Sequence, residues 1–376
     1  MSRYELWYAT QNGVKLEMLD RVISFEYVII DGDVGYISLM LPNDEERFYV
    51  QAVQDRNVQI FRAPVGGEMG LETVGFARKW SRSTSSDGLQ TLTLGAPDVK
   101  DLTTRRIVGY QENATYGQFA SQPADDIMYD IATTNLGGGG RNATETNRIA
   151  AKNLGGFTLL PSQGDGPVIS AKLAWKELRK ALQDLQNMSK AAGTEVFWTI
   201  EPLGTDLFAF KVKTEQPGTN RTVGTGINPI IFSAEFGNLS DVTYSDDYSN
   251  EVNYAYAGGR NVGQSKLIGT AQDTVSQYKS KWNTREIYVN ASGAQVSAEL
   301  ENIAKKVLSD MRPRRIFSGK IHSTPATPYG GKGWKFGDRV TVSDSGFQFD
   351  AIIRSVHVKV KEDGNEEISA NIEGVA

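Results

Sequence analysis

Residues 337–374, GDRVTVSDSGFQFDAIIRSVHVKVKEDGNEEISANIEG, read as β structure from end to end. Val, Ile, Thr and Phe fill Asp338–Ser343, Phe347–Val360 and Glu366–Glu373, and such side chains favour a pleated, half-buried surface. Asp363-Gly364 separates the last two runs and is a hairpin signal, because both positions tolerate the positive φ of a tight turn. Just upstream, Arg315–Ser323 is a further strand. Before it a helix spans about Val296–Met311, with an apolar stripe through Leu300, Ile303, Ala304, Val307 and Leu308, and Pro313 stops it.

The first hundred residues carry the same signature. Arg21–Ile30, the turn Asp31-Gly32-Asp33 and Val34–Leu41 form a hairpin. Asn57–Ala63, Val74–Ser81 and Leu89–Leu94 follow, with Pro64-Val65-Gly66-Gly67 and Ser85–Gly88 as turns. Regular short strands with turns between them predict a barrel or sandwich. The pattern changes near residue 97. Asp98–Val108 is a short helix or turn, Ala124–Thr134 a helix and Ala171–Ala192 the clearest helix, capped by Gly193. Strands resume at Thr194–Ile200, Asp206–Lys213, Ile230–Phe236 and Glu251–Ala257. Two glycine-rich stretches, 135–148 and 216–228, are long for idle connections and are expected to order against neighbouring subunits or other partners. Strands in blocks rather than alternating with helices disfavour a doubly wound sheet. The expected fold class is therefore mainly β with an α+β insertion.

Composition narrows the function classes. The chain has 376 residues, no cysteine and two histidines, which removes disulfides, thiolate metal sites and a cysteine nucleophile and makes a three-histidine site improbable. Forty basic against 45 acidic residues leave no basic field to collect nucleic acid. No apolar run is long enough to span a bilayer as a helix, and MSRYELWYATQNG is no secretory leader. Glycine, 38 residues, is over-represented, which fits a turn-rich β protein.

Two stretches resemble the tail hub proteins of tailed bacteriophages, most closely the siphophage Gp37-like hub family. In the first, NVQIFRAPVGGE, VGFARKWSRST and LQTLTLGAPDVKDLTTRRIVGY place Arg62, Gly66, Gly67, Gly75, Phe76, Arg78, Trp80, Asp101, Leu102, Arg105 and Arg106 in family-like order. In the second, GNLSDVTYSDDYSNEVNYAYAGGRNVG, NTREIYVNASG and the closing block place Gly337 and Asp338. The resemblance covers roughly residues 20–115 and 235–376; residues 116–234 match no motif.

The resemblance implies two β-barrel-like tube domains plus a helix-containing domain. The first tube domain would be 1–105, completed by about 226–243. The α+β insertion would be 106–225, with the 294–320 helix segment as an optional addition. The second tube domain would be 244–293 with 321–376. It also implies a structural virion protein of the tail tip, made in the host cytoplasm: a homotrimer adapting a six-fold tail tube to a three-fold tip and gating passage of tape measure and DNA. Its partners would be its own copies, a distal tail protein or tail tube above, the tape measure protein in the lumen and a fibre or spike below, with only transient DNA passage and no stable membrane insertion. No cofactor, metal or catalytic residue is expected, and the chain is expected not to be an enzyme.

Sharper local readings compete with plainer ones. Gly137–Gly140 lacks the lysine of a phosphate loop. Asp31-Gly32-Asp33 and Asp246-Asp247 lack calcium-loop spacing. His322 and His357 lie in strands and are expected to be structural. Arg105-Arg106 and Arg312–Arg315 are read as inter-subunit ion-pairing groups rather than DNA contacts. Trp80, Trp175, Trp198, Phe208 and Phe210 are expected in the core; exposed in a groove they would support the alternative, a host-surface carbohydrate-binding or adhesin-like module. A cell-wall hydrolase fits least.

Overall fold

The fold turns on the 14-residue strand Phe347–Val360, which pairs with both ends of the chain. The structure, a computed structural model, describes residues 2–42, 54–86, 88, 90–109, 118–136, 157–173, 175–202, 208–262, 265–294, 296–321, 323–324, 326–344 and 346–374. In chain order its elements begin with β1 (Arg3–Ala9), β2 (Lys15–Met18), β3 (Ser24–Ile30), β4 (Tyr36–Pro42), β5 (Asn57–Ala63), β6 (Gly70–Phe76), β7 (Lys79–Thr84) and β8 (Gln90–Pro97). A middle group follows: α1 (Asp101–Thr104), β9 (Gln118–Pro123), α2 (Ala124–Leu136), β10 (Phe157–Leu159), β11 (Val168–Lys172), α3 (Leu178–Ala191), β12 (Phe197–Pro202) and β13 (Phe208–Lys213). The remainder is β14 (Asn220–Arg221), β15 (Ile231–Phe232), β16 (Leu239–Asp247), β17 (Tyr254–Val262), β18 (Ser265–Gln272), α4 (Thr274–Gln277), β19 (Glu286–Asn290), α5 (Ser297–Asp310), β20 (Arg314–Ile321), β21 (Arg339–Asp344), β22 (Phe347–Val360) and β23 (Glu366–Gly374).

The largest sheet runs β16-β20-β23-β22-β3-β4-β8-β7, with β14, β15 and β21 branching from the first half of β22. Along one edge β22 pairs first with β21 and then, after a register break at Arg354, antiparallel with β3. The terminal β blocks thus lie in one sheet. Strict alternation puts Tyr27, Leu39, Leu94, Val358 and Ile368 on its apolar face. The four-stranded sheet β2-β1-β5-β6 supplies Leu6, Tyr8, Val58 and Ile60 to the same core. The loop after β20 adds Tyr329 and Trp334, and Trp334 meets Phe232 edge-on at 5.6 Å. Burying each such large side chain contributes roughly 1.5–3 kcal/mol.

The mainly β class with helices between the β blocks is as expected. The barrels are not: among the described residues no sheet closes on itself, and open sheets pack face to face instead.

The middle group forms a second core, in which Ile127, Met128 and Ile131 of α2 meet Leu178, Leu182 and Leu185 of α3 and Trp198, Phe208 and Phe210 of β12 and β13. A third, smaller core lies between α5 and the sheet β18-β17-β19, through Ala255, Ala257, Leu300 and Ala304.

Local departures from expectation have physical causes. Val74–Ser81 is two strands: β6 pairs with β5, β7 pairs with β8, and the chain changes sheet at Ala77-Arg78, where Ala77 N donates to Arg56 O and Arg78 N to Gly95 O. The helix expected from Ala171 begins at Leu178, because Val168–Lys172 pairs with β9 and Trp175 takes a left-handed φ of 58°. Gly193 does follow that helix with φ 109°. Of Ile230–Phe236 only Ile231–Phe232 is a strand, and Phe236 is exposed. Within the 216–228 stretch, Asn220–Arg221 form β14 alongside β21, while Val223 and Ile227 are exposed. Residues 137–148 and His322 lie outside the described residues.

Candidate functional site

The motif residues occupy three separate clusters that fasten distant parts of the chain. Alternation along β5 turns Arg62 inward, where its side chain is 1% exposed. Its guanidinium donates to Tyr4 Oη (2.9 Å), Glu366 Oε1 (3.1 Å), Tyr329 O (3.1 Å) and Ser2 Oγ (3.0 Å), and lies 4.5 Å from the Tyr329 ring centroid. Tyr4 also donates to Glu366, while Tyr27 and Tyr329 donate to Glu72 at 3.2 and 2.7 Å. Burial, reinforced by the neighbouring carboxylates, pushes all three phenols far above their usual range, so they stay neutral donors. Burial alone would lower the Arg62 pKa; Tyr4, Tyr27, Glu366 and Glu72 together raise it. Beside this cluster Gly67 N donates to Pro64 O and Gly66, at φ 72°, closes the turn after β5.

The second cluster centres on Asp55. Arg78 Nε and Arg105 Nη1 both reach Asp55 Oδ1 at 2.9 Å, and Arg105 also pairs with Asp101 at 2.6 Å. The Arg105 guanidinium stacks 5.2 Å from Phe76, whose ring meets Phe208 edge-on at 5.8 Å. Leu102 is buried beneath. Arg105 is therefore tied within its own chain. Burial, then the Arg105 charge, lowers the Arg106 pKa. Gly75 lets β6 cross β8: a Cβ there would stand 2.8 and 2.9 Å from the Pro97 and Ala96 carbonyl oxygens. Trp80 packs half-buried, edge-on to Tyr8 at 6.0 Å.

The third is the Gly337-Asp338 pair. Asp338, 1% exposed, accepts from Thr219 N (2.7 Å) and Lys335 N (2.8 Å) and sits 3.1 Å from Arg221 Nε. Burial raises its pKa against those favourable partners. Gly337 has φ 80°, and a Cβ would clash with Pro217 Cβ at 2.6 Å. The pair thus locks the 216–221 segment onto β21.

Sequence reasoning missed the partners of these residues, and one whole cluster. Arg354, at the β22 register break, pairs with Asp31 (2.6 Å), Glu195 (2.8 Å) and Glu373 (2.6 Å). Asp31 therefore does more than make a turn. The only local signal was an arginine between apolar residues in a strand. His357 is structural in the expected sense: it meets Glu26 at 3.0 Å on the outer face of the sheet. Trp198, Phe208 and Phe210 are buried, while Trp175 is exposed.

Among the described residues no group of three or more His, Asp or Glu side chains is placed to hold a metal ion. What the molecule offers instead is surface. The outer face of the large sheet is mixed, with Glu26, Ser38, Thr93, His357, Lys359 and Ser369 beside the exposed Tyr36 and Met40. Among the described residues no further strand covers the outer edges of β7 and β16.

A family model described as "Siphovirus ReqiPepy6 Gp37-like protein" matches residues 5–372. The chain belongs to this siphovirus tail protein family. Solved structures carry the same fold over nearly the whole of both chains. The tail protein from Neisseria meningitidis MC58 has a TM-score of 0.60 at 12% identity, covering 98% of this chain and 96% of that one. The 43 kDa tail protein of prophage MuSo2 from Shewanella oneidensis has a TM-score of 0.61 at 11% identity, covering 99% and 98%. Prophage tail protein gp18 from Listeria monocytogenes EGD-e has a TM-score of 0.53 at 12% identity, covering 98% and 94%. No curated protein matches the sequence. The Gp37-like match spans the middle group as well, where the sequence motifs fell silent.

Proposed function

We propose that three copies of this chain form a tail-tip hub that adapts a six-fold tube to a three-fold tip and gates passage of the tape measure and DNA. The carrying observation is the eight-strand path, which divides at the β22–β3 pairing into two four-strand halves, β16-β20-β23-β22 and β3-β4-β8-β7. Each half serves as one tube-like unit, so three chains supply six units around a lumen. The open edges close the ring: β7 carries Lys79 and Arg82, and β16 ends in Asp246-Asp247. Pairing of unpaired edges supplies both backbone hydrogen bonds and registry.

In this reading the outer face of the large sheet lines the lumen. Its mixed charges, Glu26 and Lys359 opposite each other and Glu367 beyond, give passing DNA no continuous basic surface to adhere to. The chain works by assembly at the virion tail tip after synthesis in the host cytoplasm, and not by bond chemistry. A distal tail protein or tube sits above it and a fibre or spike below. The middle group with α5 forms the peripheral insertion. The buried positions of Trp198, Phe208 and Phe210 withdraw those three rings from the carbohydrate-binding alternative, while Trp175 is exposed.

Electron cryomicroscopy of assembled particles tests this. The expected result is three-fold symmetry at the tip, with β7 of each chain against β16 of the next. Absence of the protein from purified virions, or a ring of another symmetry, overturns it.

A further inference from the structure

The middle group meets the two terminal sheets through two contacts of different chemistry. One is apolar. Val74 and Phe76 of β6, with Val99 and Leu102, enter the same core as Ile127, Leu182 and Phe208. There Leu178 N donates to Arg106 O and Val108 N to Lys176 O, both at 2.8 Å. The other contact is largely polar, with the Arg354 guanidinium also lying 5.4 Å from the centroid of the Phe197 ring of β12. Arg354 of β22 holds Glu195 of the middle group together with Asp31 and Glu373 of the sheet, Lys190 of α3 pairs with Glu373 at 2.7 Å, and Arg179 pairs with Asp33 at 2.7 Å. Gln183 Nε2 donates to Gly32 O at 2.9 Å. Between the two contacts runs a cleft of about 540 Å³, walled by Ile29–Gly32 and Asp98–Lys100 on the sheet side and by Trp198–Pro202 on the other.

We propose that the middle group is a swinging module, with the Phe76–Leu102 contact as its pivot and the Arg354 cluster as a releasable latch. A dense apolar contact costs transfer free energy and a cavity when opened, so it stays shut. A latch of charges differs: its pairing energy in the closed state is set against the hydration that each ion regains on opening, so the two states lie close in free energy. Arg354 concentrates the latch, because one guanidinium joins three carboxylates from three segments. The register break at Ile353–Ser355 is the device that aims it, as bulges re-aim side chains. The cleft already separates the two walls beside the latch, and opening widens it. The small β17–β19 unit travels with the module, since Lys172 of β11 donates to Gly293 O at 2.6 Å and lies 3.5 Å from Glu299 of α5. The chain passes between module and sheets through 109–117 and 214–219, and between the β17–β19 unit and the large sheet through 248–253 and 311–313. None of this depends on how many copies assemble.

The chain has no cysteine, so engineered pairs report its motion cleanly. Spin labels at Lys180→Cys on α3 and Glu362→Cys beyond β22, both exposed, measure the distance across the latch by pulsed electron resonance. In the otherwise unchanged protein a single closed distance dominates in low salt. Arg354→Met is expected to add a second, longer population, and Arg354→Lys a smaller one. Raising salt to about 1 M, where charge interactions between partly exposed groups are screened within ~3 Å, moves the unsubstituted latch in the same direction. Should Arg354→Met fail to fold, Glu195→Gln, which leaves Asp31 and Glu373 on the guanidinium, and the salt series decide the matter. A single unchanged distance in folded Arg354→Met or Glu195→Gln and across the salt series overturns the proposal.

Discussion

Arg62 and Glu366 stand 304 residues apart in the chain, and their side chains meet at 3.0 Å in the core. The contact ties β5 to β23, the one sheet to the other. Because the guanidinium is 1% exposed and also serves Tyr4, Tyr329 and Ser2, its removal strands several polar groups at once. Arg62→Met is expected to cost about 3–5 kcal/mol, the range for breaking one partner of a buried pair. Urea unfolding measures it. A double-mutant cycle with Glu366→Gln should return a coupling energy well above zero; additive losses would mean that the two side chains act independently.

Glycine matters at Gly75 for a steric reason that is absent at Gly70. A Cβ at Gly75 meets two carbonyl oxygens below 3 Å, and these belong to β8 backbone that cannot step aside. Gly75→Ala is expected to destabilise by about 1–3 kcal/mol. Gly70, with nothing within 4 Å of the same added atom, should accept alanine within about 0.5 kcal/mol. Thermal melts of the pair give the contrast, and equal losses would refute the crossing argument.

Asp98 predicts a pH dependence. Burial raises its pKa, opposed by Lys100 and by the Gly35 and Lys100 amides. Its folded pKa therefore lies above the unfolded one, and the folded state binds the proton more tightly. The stability it contributes is present at low pH and is lost as pH rises through the folded value. Relative to Asp98→Asn, the unsubstituted protein should gain stability as pH falls from neutrality toward about 4, the unfolded carboxylate range. Glu373 works the other way. Burial would raise its pKa, but Arg354 and Lys190 lower it, so its stabilisation fades as pH falls through the folded value. Urea midpoints across pH for Asp98→Asn and Glu373→Gln should change with opposite slopes.

The β character of the chain was readable because alternation is local. Phe347–Val360 has the limits that its composition predicts, and Asp363-Gly364 turns as such a pair should. What alternation cannot show is which strand lies beside which. The β22–β3 pairing merges two blocks that look separate along the chain, and it replaces closed barrels with one open sheet. Val74–Ser81 looks continuous because the switch between sheets at Ala77-Arg78 leaves the apolar pattern intact. The motif arginines could be picked out, but not their partners, because an ion pair leaves no periodic trace. Asp55, Glu72, Glu195 and Glu366 are ordinary surface-type residues until the fold carries them inward.

Trp282 and Tyr278 are 81% and 87% exposed on the stretch between α4 and β19. That stretch is not loosely held. Asn253 is fully buried; its Oδ1 accepts from Arg285 N at 2.9 Å and its Nδ2 donates to Asn283 O. Large aromatics held outward on a fixed backbone are what partner surfaces use as anchors. In the free chain Trp282→Phe should remove the largest share of iodide-quenchable fluorescence, with Trp198 and Trp334 silent in the core. In assembled tails that quenching should disappear. Equal quenching in both states would place Trp282 in solvent and remove this stretch from the partner contacts.

The open edges make the sharpest assembly prediction. Lys79 and Arg82 lie on β7, the last strand of the large sheet, and the β7 side chains are mostly exposed. Lys79→Glu with Arg82→Glu should leave the melting of the isolated chain nearly unchanged, because surface substitutions of this kind usually stay within about ±0.5 kcal/mol. The same pair should abolish ring formation, since four acidic groups would then face each other across the β7–β16 seam. Charge reversal on the other side, with Asp246→Lys and Asp247→Lys, should restore it in the combined variant. Mass photometry of the three proteins beside the unsubstituted chain separates the outcomes. Rings that form equally well with β7 acidic would show that the seam lies elsewhere. Recovery only in the combined variant would show that the two edges meet.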